Sequence, residues 1–159
     1  MNPRNPRNIP KNSLLSDEPD EPETIVTASH CWQNDSPQAA FDGIEPENSN
    51  DHSIPRLTWW DHKGTDEWVT LSFEKPQKIS QLSVYWFDDA PRGGGCRLPE
   101  SWSLSYKNGG DWVPVKSTFE VKKDAYCTAT FDEITASEIR VNVKLQQNFS
   151  GGILEVKIP

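Results

Sequence analysis

An acidic segment in the first third of the chain carries a dense set of oxygen donors. Within residues 42–52, seven side chains bear a carboxylate, amide or hydroxyl group, namely Asp42, Glu45, Glu47, Asn48, Ser49, Asn50 and Asp51. Calcium takes about six to eight oxygen ligands in proteins, and backbone carbonyls often supply some of them. The D-x-D-x-D-G spacing of an EF-hand is absent. The composition therefore indicates either a calcium site or a solvated acidic loop stabilised by Asx turns.

A second loop, residues 88–99, combines two Asp, two Arg and three consecutive Gly. The order G-x-x-x-x-G-K-[ST] is missing, so the glycines indicate a flexible or closely approached backbone rather than a phosphate-binding loop. Arg and Asp side chains in such a loop can hydrogen-bond sugar hydroxyls bidentately, or they can pair with each other at the surface. We predict ligand contacts for Arg92 and Arg97 and keep surface pairing as the alternative.

Two adjacent tryptophans, Trp59 and Trp60, lie between Arg56 and His62. Neighbouring residues in an extended segment face opposite sides, so a single core cannot accept both rings. One ring is expected in the core. The other ring either packs beneath a loop or is presented for stacking on a sugar. We therefore predict that Arg56, Trp60 and His62, together with His52, contact carbohydrate; burial of both rings by different elements is the alternative.

Catalysis has little support in the sequence. Neither the G-x-S-x-G nucleophile motif nor the H-E-x-x-H zinc motif occurs. A carboxylate pair can hydrolyse a glycoside, but with 24 acidic residues chance pairs are certain. A stand-alone hydrolase is therefore the least favoured function.

Short segments with a two-residue hydrophobic period must position these loops. Ile139, Val141, Val143 and Leu145 alternate with polar residues, as a half-buried strand requires. The same period recurs in Val69/Leu71/Phe73, Leu82/Val84/Trp86 and Trp102/Leu104/Tyr106, and two further strands are predicted at 127–131 and 153–158. Residues 108–111, Asn-Gly-Gly-Asp, predict a hairpin turn. The pattern predicts an all-β antiparallel sandwich of jelly-roll or immunoglobulin-like type.

Composition divides the 159 residues into an arm and one domain. Residues 1–24 hold five Pro and an acidic run, which predicts a disordered or linker arm, whereas every Trp lies within 25–159. The formal net charge of −8 disfavours nucleic-acid binding, and no apolar run approaches the ~20 residues of a membrane helix. Without a signal peptide, we expect a cytosolic protein or a piece of a longer secreted one. Cys31, Cys96 and Cys127 match no zinc spacing and are expected to be buried or half-buried thiols.

From about residue 24 to 158, the chain resembles the coagulation factor V/VIII type C (discoidin-like) and family 32 carbohydrate-binding module superfamily. The matching stretches are residues 39–43 (AAFDG), 59–60 (WW), 67–73 (EWVTLSF), 79–86 (ISQLSVYW), 99–106 (PESWSLSY) and 152–156 (GILEV). Loop strings at 45–56, 58–65, 86–89 and 95–99 look most like the accessory domain of bacterial β-L-arabinofuranosidase-like glycoside hydrolases.

The resemblance implies a jelly-roll β-sandwich of two antiparallel sheets, galactose-binding-like, with long functional loops on one rim. It also implies a structural calcium held by Asp42 and Glu155, with Ser49 where the family often has a hydroxyl ligand. Asp51 is our addition from the count of oxygen donors. Sugar contacts vary across this superfamily, so our predicted contacts rest on loop chemistry alone.

The expected function is therefore a noncatalytic accessory module of a secreted bacterial glycoside hydrolase. We expect a monomer that is secreted, periplasmic or located at the cell surface. It would bind a polysaccharide or oligosaccharide beside the catalytic domain of its parent chain. The alternative is a structural or docking domain that packs on the catalytic partner without binding sugar. No nucleic-acid or membrane partner is expected.

Overall fold

A computed structural model describes residues 23–159, so the predicted arm lies outside the described residues except for Glu23 and Thr24. Within this range the chain forms seven strands and two 3₁₀ turns, Pro37–Phe41 and Ala90–Arg92, and no α-helix. No helix of the described part is long and apolar enough to cross a membrane. The strands are β1 (Thr24–Ala28), β2 (Leu57–Thr58), β3 (Asp66–Phe87), β4 (Ser101–Lys107), β5 (Val113–Pro114), β6 (Tyr126–Lys144) and β7 (Gly152–Lys157).

Two long strands, β3 and β6, run through both layers of the fold. They pair antiparallel from Asp66 opposite Lys144 to Tyr85 opposite Tyr126, with a break in register between Ser72 and Gln77. In the first sheet, the part of β3 before the break also pairs with β1. The paired part of β6 adjoins β4, and β4 in turn pairs with β5. Beyond the break, β3 pairs with β7, which carries β2. The result is the predicted jelly-roll β-sandwich, with two antiparallel sheets joined by the continuous pair.

The core lies between these two sheets and follows the predicted period of two. Val69 and Leu71 of the first sheet and Leu82 and Val84 of the second belong to one buried cluster. The largest fully buried side chains are Trp59, Trp86, Phe87, Leu57, Leu71, Ile79, Leu82, Leu104, Ile139, Leu145, Ile153 and Leu154. All three cysteines are free thiols, with Cys96 and Cys127 buried and Cys31 half-buried.

The C-terminal part of β3 is buried on both of its faces. Tyr85 and Phe87 point away from the main core, yet they are buried in a second cluster with Cys96 and Leu154. Alternation alone predicts a solvated face here. The face is covered because the segments before β2 and after β3 fold back over it.

Loops from three parts of the chain are bonded together at one end of the sandwich. The Asp88 N–H donates to the Ser49 carbonyl at 2.9 Å, and the Arg97 N–H donates to the Ser150 carbonyl at 3.0 Å. The Gly64 N–H likewise donates to the Phe149 carbonyl at 3.1 Å. These backbone bonds tie segments 29–65, 88–100 and 145–151 into one layer.

We expect Leu71→Ala to lower the free energy of unfolding by about 2–5 kcal/mol, because Leu71 is fully buried and truncation leaves a cavity. Val113→Ala is the control: Val113 is 44% exposed on β5, and we expect a change within about 0.5 kcal/mol. Urea unfolding measures both values. Equal effects of the two substitutions would contradict the assigned core.

Candidate functional site

A cleft of about 420 Å³ opens in the loop layer, between the segment preceding β3 and the glycine-rich loop that follows it. Its lining combines aromatic rings with three charged side chains and the backbone of three consecutive glycines. The lining residues are Trp32, Asp35, Arg56, Thr58, Trp60, Phe87, Asp89, Gly93, Gly94, Gly95 and Cys96. Aromatic walls with a few placed polar groups are typical of small-ligand sites.

The two adjacent tryptophans separate as the sequence predicts. Trp59 is fully buried in the core, whereas Trp60 is half-buried and lines the cleft. The Trp60 ring lies so close to Gly95 that a Cβ at this glycine would overlap it. The Lys63 ammonium lies 5.0 Å from the centre of the same ring. Only a glycine permits this contact, which explains at least one of the three consecutive glycines.

Arg56 and His52 meet at the ring of Phe87. The Arg56 guanidinium lies 4.8 Å from the centre of this ring, and the His52 ring packs edge-on against it at 5.3 Å. The His52 Nδ1 atom is 2.8 Å from the Asn50 carbonyl oxygen. Arg56 and Phe87 line the cleft, whereas His52 packs against Phe87 but does not line the cleft itself.

Two carboxylates in the cleft were not among the predicted contacts. Asp35 accepts a hydrogen bond from the Thr58 hydroxyl through Oδ2, and Asp89 accepts the Cys96 N–H through Oδ1 at 2.9 Å. In the hydrogen bonds of residues 23–159, each carboxylate leaves its other oxygen without a partner. Trp32, which is 36% exposed in the opposite wall, was also missed. Its isolation in a polar segment was the available signal.

The two predicted arginines of the glycine-rich loop lie outside the cleft lining. Arg92 is exposed at the end of the 3₁₀ turn. Arg97 donates to the carbonyl oxygens of Gly94 at 2.7 Å and Cys96 at 2.9 Å, and its guanidinium stacks over Phe149 at 4.3 Å. Arg97 thus fixes the glycine turn that forms one wall.

His62 lies behind Trp60 rather than in the cleft. Its Nδ1 is 2.8 Å from the buried Glu67 carboxylate, and its ring stacks on His30 with centres 3.7 Å apart. The His30 Nε2 atom is 2.9 Å from the Trp60 carbonyl oxygen. Burial opposes ionisation of Glu67, but hydrogen bonds from Ser29, Thr65 and His62 outweigh it and lower the pKa of this carboxyl. The network holds the backbone of Trp60 in place.

Two of the four predicted calcium ligands, Asp42 and Glu155, lie together. Glu155 is 2% exposed, and its carboxylate accepts the N–H groups of Gly43 at 2.8 Å and Asp42 at 3.4 Å. Burial and the adjoining Asp42 carboxyl raise the pKa of Glu155 to about 8. Within the described chain, neither carboxylate forms an ion pair with a basic side chain. The donor chemistry of this pair fits a hard cation.

Ser49 and Asp51 have other partners. Ser49 exchanges two hydrogen bonds of 2.8 Å with Asp124, one through its N–H and one through its hydroxyl. Asp51 accepts from the N–H groups of Glu47 and Ser53, and hydrogen bonds led by the Ser53 hydroxyl lower its pKa. In residues 23–159 no three His, Cys, Asp or Glu side chains form a metal-binding group, so Asp51 does not join the pair. Further ligands there would be carbonyl oxygens or water.

The acidic loop also contains the Asx turns that were the alternative to a cation site. The Asp42 carboxylate accepts the Ile44 N–H at 3.0 Å, the Asn48 amide oxygen accepts the Asn50 N–H at 2.8 Å, and Asp51 accepts from Ser53 at 2.9 Å. These bonds shape most of the loop without a metal.

Comparisons with known proteins agree with the fold. No curated protein matches the chain. A solved chain of the β-galactosidase BgaA of Streptococcus pneumoniae superposes with a TM-score of 0.70 at 20% identity, covering 84% of this chain and 90% of that one. The family 32 carbohydrate-binding module of NanJ from C. perfringens, solved with galactose, gives 0.64 at 17% identity, covering 85% and 92%.

A further Clostridium perfringens module, CpGH89CBM32-5 in complex with GalNAc-β-1,3-galactose, gives a TM-score of 0.65 at 13% identity, covering 85% of this chain and 94% of that one. At these identities the structural likeness establishes the fold. The sequence model of the F5/8 type C domain matches residues 25–156, nearly all of the described range. The chain therefore belongs to the F5/8 type C domain family.

Proposed function

We propose that this domain is a noncatalytic carbohydrate-binding module that holds a sugar in the cleft between Trp60 and the glycine-rich loop. The observation that carries the proposal is the composition of this cleft, where Trp32, Trp60 and Phe87 surround Arg56 and two aspartates. A sugar ring has apolar C–H faces and a polar edge of hydroxyls. Aromatic rings cover the faces, while guanidinium and carboxylate groups hydrogen-bond the edge.

Packing and hydrogen bonds within the protein support the cleft walls. Gly95 supports the Trp60 ring, Arg97 fixes the glycine turn, and the His30–His62–Glu67 network fixes the Trp60 backbone. A ligand therefore loses little affinity to ordering the protein. This preorganisation suits a binding module, whose task is retention rather than turnover.

A galactose-type sugar is the first ligand to test. Family 32 modules from C. perfringens with this fold were solved with galactose and with GalNAc-β-1,3-galactose. Asp35 and Asp89 each have one carboxylate oxygen available to accept from a sugar hydroxyl. Arg56 in the same lining and Arg97, whose Nη1 lies 3.8 Å from Asp89 Oδ1, offset these two negative charges, so the charge of the cleft does not select an acidic sugar over a neutral one.

A structural calcium at Asp42 and Glu155 is part of the proposal. Its support is the approach of the exposed Asp42 carboxyl to the buried Glu155 carboxyl, neither of which has a basic partner in the described residues. A cation there would neutralise the pair and fasten the loop after the first 3₁₀ turn to β7. We further propose that the domain serves as a monomeric accessory domain of a secreted bacterial glycoside hydrolase and keeps the catalytic domain near its polysaccharide.

Calorimetric titration with galactose and with arabinose- and galactose-containing glycans tests the cleft. We expect Trp60→Ala and Arg56→Ala each to weaken binding at least about tenfold, because each removes a central contact. Arg92→Ala should leave affinity unchanged, because this exposed side chain lies outside the lining. An absence of binding to any of these sugars at millimolar concentration would overturn the proposed function, and a loss confined to Arg92→Ala would relocate the site.

Gly95→Ala should also weaken galactose binding at least about tenfold, because the new methyl group displaces the Trp60 ring. The matched control is Gly110→Ala in the hairpin turn, where a Cβ meets nothing within 4 Å. Titration and circular dichroism on both variants separate lost binding from lost folding. Unchanged affinity in Gly95→Ala would show that the position of Trp60 does not determine binding.

Thermal unfolding in excess calcium and in EDTA tests the cation site. Calcium at a hundredfold over its dissociation constant should add about 2.7 kcal/mol to the stability of the domain. Glu155→Gln should remove this calcium-dependent increment, whereas Asp51→Asn should keep it despite a lower baseline, because Asp51 bonds only within its own loop. A melting temperature that is the same in calcium and in EDTA would contradict the site.

A further inference from the structure

The outer face of the first sheet, which points away from the core, carries two tryptophans fixed by one arginine. Trp68 lies on β3, Trp112 lies just before β5, and Arg140 on β6 lies between them. The Arg140 guanidinium carbon is 4.1 Å from the centre of the Trp68 ring and 4.2 Å from that of Trp112. The Arg140 Nε also donates to the Thr70 hydroxyl at 2.8 Å. These contacts hold both half-buried rings in one orientation.

A groove of about 300 Å³ runs beside Trp68 on this face. Apart from the indole ring, its accessible rim consists of hydroxyl, amide and oppositely charged groups. These are Asp66, Ser101, Ser103, Asn142 and Lys144. The Asn142 amide donates to the Ser105 hydroxyl at 3.1 Å, which orients it. The groove therefore offers one flat apolar surface surrounded by hydrogen-bonding groups of both kinds.

We propose that this groove is a second glycan-binding site, separate from the cleft. Arg140 stacks on one face of the Trp68 ring, and the part of the ring that borders the groove contacts the apolar face of a sugar, whose hydroxyls bind Asn142, Ser103 and Lys144. A protein partner would need a broader apolar patch, whereas here the ring of Trp68 is bordered by polar side chains. The inference rests on the proposed function, because it adds a second subsite to a carbohydrate-binding module.

The two sites lie on either side of the segment 60–68. Glu67 lines the groove and binds His62, whose partner His30 contacts the Trp60 backbone. No lining residue is shared between groove and cleft. A substitution can therefore disable one site without touching the other, and one glycan chain can bind the domain at two points.

Nuclear magnetic resonance of the tryptophan indole N–H groups tests the proposal, with galactose and β-1,4-galactotetraose as probes and Trp→Phe variants for assignment. We expect the tetraose to shift both the Trp60 and the Trp68 signals. The Trp68 shift should persist in Trp60→Ala. In Asn142→Ala it should require about tenfold more sugar, because one hydrogen-bonding group is lost. Val113→Ala, on the same sheet outside the groove, should leave it unchanged.

A Trp68 signal that stays fixed while the Trp60 signal saturates would overturn the second site alone. The same holds if Asn142→Ala leaves the Trp68 response unaltered in a protein whose spectrum is otherwise native. If neither indole responds to either sugar, the proposed function fails together with this inference.

Discussion

The pairing of β3 with β6 along almost their whole length is the constraint on which the rest of the structure depends. Because both strands bend at the break after Ser72, one continuous ladder contributes to two facing sheets. This bend also returns the start and the end of β3 to the same end of the sandwich, where Asp66 lies beside Lys144 and Phe87 beside Gly152. Loops that are distant in sequence therefore meet there without any element dedicated to joining them.

Burial on both faces of β3 connects this scaffold to the site. Residues 82–87 are all buried, with the even positions in the main core and Tyr85 and Phe87 beneath the loop layer. Phe87 is at once the floor of the cleft and the surface against which Arg56 and His52 pack. The loops are thus held by apolar contact as well as by backbone hydrogen bonds, which gives the cleft a fixed shape.

Sequence periodicity was sufficient for the sandwich but not for the loop layer. Alternation identifies strands because side-chain direction in a strand depends only on position. The same rule predicts that one of the two rings, Trp59 or Trp60, enters the core, but it does not say which one. Periodicity does not predict the contacts of polar loop residues. Arg97 and His62 have chemistry suited to sugar binding, yet tertiary packing pairs Arg97 with the Gly94 carbonyl and His62 with Glu67. The position of Asp35 in the cleft is likewise set by tertiary structure, because its carboxylate accepts a hydrogen bond from the Thr58 hydroxyl.

The acidic loop shows how one composition serves two purposes. Counting oxygen donors treats its side chains as equivalent, but most of them satisfy backbone N–H groups a few residues away and close Asx turns. The buried Glu155, more than a hundred positions away, instead accepts the N–H groups of Asp42 and Gly43 and so joins this loop to β7. Local hydrogen bonding explains the shape of the loop, whereas burial and the neighbouring Asp42 carboxyl raise the pKa of Glu155 to about 8, so that Glu155 keeps its proton at neutral pH when no cation is bound. A cation bound there, as we propose, would favour the ionised form of Glu155 and hold the loop against β7, so that calcium binding would release a proton at neutral pH.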